Sequence, residues 1–155
     1  MLRLSRQKGL AAVEATLVLP IMLLLLLAIG EFGRVLYQYN TLSKAVRSST
    51  RTVSVSPAAN FVLDDEMMAR TRNMILYGQE TMGTTAVLPG LTSGDISFTG
   101  PYNIPVTSEN RYVDVHVSYD WQPIFGDTFN TFFGNTISLN FPLQTSMTMR
   151  VLNDG

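Results

Sequence analysis

The chain has 155 residues, with eleven basic and twelve acidic side chains, a formal net charge of −1 and no cysteine. The near-zero net charge argues against a nucleic-acid partner, and the lack of cysteine excludes a disulfide framework, a thiol nucleophile and a cysteine-based metal site. The length accommodates one modest domain besides an anchor. Seven basic and ten acidic residues follow Arg34, so the later part of the chain carries a charge of about −3.

An apolar run extends from Leu10 to Gly30 near the start of the chain. About 20 residues at a rise of 1.5 Å each make roughly 30 Å of helix, which is the thickness of the hydrocarbon core of a bilayer. Arg3, Arg6 and Lys8 precede the run, so the positive-inside rule predicts a cytoplasmic N-terminus and places the bulk of the chain outside. The alternative is a secretory signal peptide that is cleaved after Gly30, although the run exceeds the usual length of such a segment.

One carboxylate, Glu14, interrupts this run five residues after Gly9. An ionisable residue within a membrane-length segment is a candidate functional residue. The aliphatic residues between Leu17 and Ile29 favour insertion by about 3–6 kcal/mol in total, whereas a charge at the helix centre costs about 2.5–3.5 kcal/mol. The helix is therefore expected to insert with Glu14 as a charge that needs a partner. The alternative is that this side chain reaches the interface and stays solvated.

Beyond the run, apolar residues continue at spacings of three and four, which predicts an amphipathic helix that ends near Val53–Ser56. These residues are Phe32, Val35, Leu36, Tyr39, Leu42, Val46 and Val53. Pro57 is the first helix breaker, whereas Pro20 removes one hydrogen bond inside the helix and favours a kink. The two parts together make one helix of about 45 residues, half of it in the membrane and half packed on a domain.

A second helix is predicted from about Phe61 to Tyr77, with Asn60 as its N-terminal cap and Gly78 as its C-terminal stop. Three acidic residues, at positions 64–66, fall in its first turns. The helix dipole favours carboxylates at that end, and a cation site is the alternative interpretation.

The hydrophobic period then changes to two, which predicts strands at about 95–99, at 112–121 and along a longer alternation from Ile137 to Val151. Pro142 cannot donate to a ladder, so the last strand is expected to be an edge or to contain a bulge there. Helices followed by strands predict an α+β fold with a small antiparallel sheet, whose apolar face packs on the outer half of the long helix.

Residues 122–135 are predicted to form a loop, although they include five large apolar side chains: Ile124, Phe125, Phe129, Phe132 and Phe133. Such a cluster either covers the core or forms an exposed contact patch. Because the cores of interfaces favour aromatic side chains, the four phenylalanines are candidate contacts for a second subunit.

One face of the strand at 112–121 carries residues that could serve in catalysis: Asp114, His116, Ser118 and Asp120. Nothing activates Ser118, since the sequence has no nucleophile-elbow motif and no second histidine. Alternating polar residues are also typical of the solvated face of an antiparallel sheet. With no phosphate-binding glycine motif and no zinc-ligand spacing, the sequence predicts neither an enzyme nor a cofactor or metal.

The N-terminal residues resemble a known family. The string Lys8–Glu14, its continuation to Leu19-Pro20, and Glu31–Arg34 are similar to the TadE-like pseudopilins of the tight-adherence (type IVc, Flp-type) pilus machinery. Two C-terminal stretches, at 119–125 and 146–150, resemble that family more weakly. One departure is Ala15, where members often have an aromatic residue.

The resemblance implies a minor pilin or pseudopilin with a pilin-like fold, in a system of cell adhesion and biofilm formation. Residues 1–9 would be a leader that a prepilin peptidase removes between Gly9 and Leu10, and Glu14 would pair with the freed amine in its own chain or a neighbour's. Residues 10–30 would cross the inner membrane, 31–56 would continue the helix, and 57–155 would form a periplasmic α+β domain. Its partners would be other pilins and the inner-membrane assembly platform. The alternative is an uncleaved bitopic protein whose periplasmic domain binds a partner or ligand.

Overall fold

The computed structural model describes residues 4–54, 64–100, 112–130 and 134–150, and of residues 4–8, 54, 129 and 130 it describes the backbone alone. Its elements in chain order are α1 (Leu4–Ser54), α2 (Asp65–Tyr77), a 3₁₀ turn (Ser93–Asp95), β1 (Ile96–Thr99), β2 (Tyr112–Asp120), β3 (Thr128–Asn130), β4 (Thr136–Ser138) and β5 (Pro142–Arg150). The predicted α+β class is confirmed: a long N-terminal helix, a second short helix and a small antiparallel sheet.

The helix α1 continues through Pro20 and ends at Ser54, within the predicted range. Among the described residues, its portion Gly9–Val53 is the one helix that is long and apolar enough to cross a membrane. The chain forms two compact units, residues 1–36 and residues 37–155. In the first unit the apolar side chains are exposed, for example Leu10 at 72%, Leu17 at 69% and Leu26 at 63%. Such exposure suits a surface that faces lipid.

The second unit contains the hydrophobic core. Its buried apolar side chains come from every main element: Leu42, Val46 and Val53 of α1, Ile75 and Leu76 of α2, Ile96 of β1, Val113, Val115, Val117 and Tyr119 of β2 and Leu143 of β5, together with Leu88, Leu91 and Trp121. Two buried hydroxyls, those of Ser49 and Thr50, donate to the carbonyl oxygen of Val46 at 2.8 and 2.6 Å. The outer part of α1 therefore places polar atoms in the core without leaving these hydroxyls unsatisfied.

The main sheet has the order β1-β2-β5, and both pairings are antiparallel. In the register, Val115 of β2 lies opposite Phe98 of β1 and Met147 of β5. The inward residues of β2 are at most 1% exposed, so its predicted alternation is confirmed. Within the described sheet β5 is an edge strand, and Pro142 is its first residue, a position that needs no backbone donor.

The predicted start of the second helix was wrong. The N-terminal cap is Asp64, whose Oδ1 accepts a hydrogen bond from the backbone N–H of Met67 at 2.8 Å. The helix therefore begins at Asp65 and not at about Phe61. Asn and Asp are both favourable N-terminal caps, and in the structure Asp64 has this role. Asn60 itself lies outside the described residues. The C-terminal stop at Gly78 is confirmed by a left-handed φ of 72° and by its N–H bond to the carbonyl of Met74 at 3.0 Å.

The alternation predicted from Ile137 to Val151 as one strand, with an edge or a bulge at Pro142, instead forms two strands in separate sheets, and Val151 lies outside the described residues. Here β4 pairs with β3, a strand that lies inside the predicted loop. Ile137 and Phe141 are 52% and 41% exposed instead of buried. The break lies between the strands, where the indole N–H of Trp121 donates to the carbonyl of Leu139 at 2.8 Å. The break in the local pattern therefore coincides with a contact between residues distant in sequence.

Candidate functional site

The predicted site residues Gly9, Leu10 and Glu14 all lie near the start of α1. Residues four apart on a helix are neighbours on one face, separated by about 6 Å along the axis. The helix therefore places Glu14 one turn after Leu10 on the same face. Gly9 is exposed, and a Cβ added there would meet no atom within 4 Å. Nothing in the described structure thus crowds the peptide bond between Gly9 and Leu10.

The side chain of Glu14 is exposed, and no described side chain gives it a hydrogen bond or an ion pair. Its exposed neighbours on the helix are apolar, among them Val13, Leu17 and Val18. If α1 crosses a bilayer, an ionised carboxylate here is stabilised either by a positive partner from outside the described side chains or by reaching the solvated interface.

The backbone of α1 is less completely hydrogen-bonded just beyond Glu14. Pro20 has no N–H, so the carbonyl of Thr16 lacks its usual helical donor. The hydroxyl of Thr16 donates in turn to the carbonyl of Ala12 at 2.5 Å. Such back-bonding from a threonine is associated with helix bending, and the segment from Ala12 to Pro20 combines it with one missing backbone hydrogen bond.

An ion pair not foreseen from the sequence lies at the end of the apolar run. The Nη1 atom of Arg34 is 3.1 Å from Oε2 of Glu31, one turn earlier in the same unit. Glu31 is buried, at 7% exposed. The available signal was the spacing of three between opposite charges, which places them on one helix face. The pair neutralises both charges where the apolar run ends.

The predicted contact loop is only partly described. Ile124 and Phe125 are exposed, at 65% and 55%. The backbone of Phe129 belongs to β3, whereas its side chain, and all of Phe132 and Phe133, lie outside the description. A shared contact surface of these phenylalanines therefore stays a prediction.

The polar face of β2 is part of a hydrogen-bonded sheet surface. Asp114 accepts a hydrogen bond from the hydroxyl of Thr148 on β5 at 3.0 Å. His116 lies between Ser97 on β1 and Ser146 on β5 in the register. Within the described ranges, no group of three or more histidine, aspartate or glutamate side chains is placed to hold a metal ion. This geometry matches a solvated sheet face.

The family model described as TadE-like protein matches residues 9–51. The match begins at Gly9 and contains both Glu14 and the Glu31–Arg34 pair. The resemblance seen in the sequence is therefore confirmed over this segment, and the family is not a family of enzymes. Comparison with curated proteins and with solved structures gives no match.

Proposed function

Because residues 9–51 form a TadE-like segment at the start of a long apolar helix, we propose that the protein is a minor pilin or pseudopilin of a tight-adherence (type IVc, Flp-type) pilus system. The observation that carries this proposal is the position of Glu14. It is a carboxylate exposed on a membrane-length helix, one turn from the residue that would become the new N-terminus.

Processing by a prepilin peptidase would create the missing partner. Hydrolysis between Gly9 and Leu10 adds water across the peptide bond, leaving a carboxylate on Gly9 and an amine on Leu10. That amine is protonated at neutral pH, since an α-amino group has a pKa of about 7.7–8.0. It would lie one turn before Glu14, within reach of this carboxylate in its own helix or in a neighbour's. A buried pair of this kind fixes the register of packed helices more than it adds stability.

The proposed location follows from charge and hydropathy. The basic residues before Gly9 favour the cytoplasmic side, α1 anchors the chain in the inner membrane, and residues 37–155 lie in the periplasm. The proposed partners are the peptidase, other pilins or pseudopilins, and the membrane assembly platform. The exposed Ile124 and Phe125 support a protein contact in the 122–135 segment, because exposed apolar side chains are typical of binding surfaces.

The test is the intact mass of the protein from membranes of cells that contain the matching peptidase. We expect a mature chain that starts at Leu10, and a precursor nine residues longer for Gly9→Val. Gly30→Val is the matched control, because Gly30 lies in the same helix and an added Cβ there also meets nothing within 4 Å. This control should be processed normally.

Two outcomes would contradict the proposal. Retention of Met1 in the wild-type protein would indicate an uncleaved bitopic protein whose outer unit binds a partner or ligand. A chain that starts at Glu31 would indicate a signal peptide, because the cut would then follow the apolar run.

A further inference from the structure

A groove lies in the second unit, between one face of α2 and the segment that follows it. Its volume is about 410 Å³. The lining residues on α2 are Ala69, Arg72, Asn73, Leu76 and Tyr77, and those from the later segment are Met82, Leu91, Thr92 and Ser93. The α2 residues follow the spacing of a single helix face, so the groove runs along the helix. This volume is within the range of sites that hold a small ligand or a few side chains.

The walls of the groove are fixed by contacts of the chain with itself. The backbone N–H of Val87 donates to the carbonyl of Leu76 at 2.7 Å, and the amide of Asn73 donates to the carbonyl of Glu80 at 3.2 Å. The segment also passes close to α2, since a Cβ added at Gly83 would lie 2.8 Å from Cβ of Tyr77. A groove built in this way needs little ordering when a ligand binds, which favours affinity.

Arg72 provides the charge in this groove. Its guanidinium carbon lies 5.5 Å from the centroid of the Phe98 ring, a cation–π contact that holds the side chain. Within the described residues it forms no ion pair with a carboxylate, and its Nε atom is buried without a hydrogen-bond partner. The carboxylate of Asp95 accepts from the backbone N–H and hydroxyl of the lining residue Thr92, at 2.7 and 2.9 Å. Arg70, two residues earlier, is paired with Glu66 at 2.6 Å.

The chemistry of the lining selects a class of ligand. Leu76 and Leu91 are buried beside the groove and offer apolar surface, while Arg72 offers one fixed cation. One cation suits a single carboxylate better than a phosphate group, which usually meets several donors or a helix N-terminus. Ala69 and Met82, one on each side of the groove, are exposed, so the groove opens to solvent and admits a side chain carried on a polypeptide.

We infer that this groove binds an acidic segment of a partner protein, with a glutamate or aspartate carboxylate on Arg72 and a neighbouring apolar side chain against Leu76 and Leu91. This site lies in the second unit and does not depend on removal of residues 1–9. Evidence against the proposed processing would therefore not count against this site, and evidence against the site would not count against the processing.

The experiment uses the full chain in a mild detergent and the fluorescence anisotropy of a labelled pentapeptide that has a central glutamate flanked by leucines. We expect saturable binding. Replacing the peptide's glutamate by glutamine should weaken binding at least about fivefold, since a charge-assisted bond is lost. Arg72→Gln should weaken binding of the glutamate peptide similarly, and in that variant the two peptides should bind alike because the interaction is already absent.

Two further variants separate the groove from general effects of charge and folding. Arg70→Gln removes the same charge from the same helix outside the groove and should change binding by less than about twofold. Ala69→Phe fills the groove from an exposed position and should abolish binding while the thermal melt stays unchanged, so it serves even if Arg72→Gln unfolds the protein.

The inference is overturned if the wild-type chain shows no saturable binding, if the glutamine peptide binds equally well, or if Arg70→Gln weakens binding as much as Arg72→Gln. Competition by free glutarate at the same concentration as the peptide would also overturn it, because the flanking apolar side chains would then contribute nothing.

Discussion

The hydroxyl of Tyr119 gives a sharp test of how the second unit is held together. It donates to the carbonyl of Pro89 at 2.7 Å, and the residue is 1% exposed. This hydrogen bond connects the central strand β2 to the segment that precedes Leu91, and Leu91 is one of the residues that line the groove. Tyr119→Phe removes the hydroxyl and keeps the aromatic ring, so the change in unfolding free energy measures the contribution of this hydroxyl.

The expected loss is about 1 kcal/mol of unfolding free energy, the central value for one hydrogen bond between neutral groups. A larger loss would apply if the carbonyl became a buried acceptor without a donor, but Pro89 is an exposed residue, so we expect water to replace the hydroxyl. For a cooperative unit the size of residues 37–155, about 1 kcal/mol corresponds to a fall in Tm of roughly 4 °C.

The assay is a thermal melt of the full chain in detergent, followed by near-ultraviolet circular dichroism to report on the packed aromatic side chains. Tyr112→Phe is the matched control, because it deletes the same atom from the same strand at a residue that is 60% exposed, and it should leave the Tm within about 1 °C. Equal Tm values for Tyr119→Phe and Tyr112→Phe would refute this reasoning, since the hydrogen bond from Tyr119 to Pro89 would then contribute no stability.

Three other predictions concern function. Glu14→Ala should leave membrane retention intact, because the helix becomes more apolar, but should reduce co-purification with other pilins; normal piliation of such cells would reject the pairing with the amine of Leu10. His116→Ala should leave piliation nearly unchanged and should lower the free energy of unfolding by less than about 0.5 kcal/mol, as for most surface changes. A large loss of piliation, or a large fall in Tm in a thermal melt, would reveal a functional or structural site on β2. Phe129→Ser combined with Phe132→Ser should weaken pull-down of a partner pilin at unchanged Tm, whereas a marked fall in Tm would show that the two side chains belong to the core.

Local patterns in the sequence were sufficient for the long helix, the central strand and the class of fold. Of the apolar helix face predicted from Phe32 to Val53, the later residues Leu42, Val46 and Val53 are buried, as expected for packing on a domain. The earlier residues Phe32, Leu36 and Tyr39 are 69%, 59% and 42% exposed. The strict alternation in β2 likewise predicts which side chains point inward. These predictions succeed because the periods of helix and strand are local properties of the backbone. The apolar run and Glu14 also identified the N-terminal segment that matches the TadE-like model.

The arrangement of the C-terminal strands required the tertiary structure. Periodicity shows that residues 137–151 alternate, but it does not show which strand each half pairs with. In the structure β4 pairs with β3 and β5 with β2. Pro142 indicated an edge or a bulge locally, but pairing depends on contacts between residues distant in sequence, so the division of the alternation between two sheets was not visible.

The candidate sites divide in the same way. Gly9, Leu10 and Glu14 were readable from the sequence alone, because the spacing along one helix fixes their relation. The groove beside α2 could not be predicted from the sequence alone. Arg72 contacts Phe98 on β1 and shares the groove with Leu91, and both lie about 20 or more residues later in the chain. Sequence determines which side chains share an element. Only folding brings separate elements together, because long-range packing decides which apolar and charged groups meet.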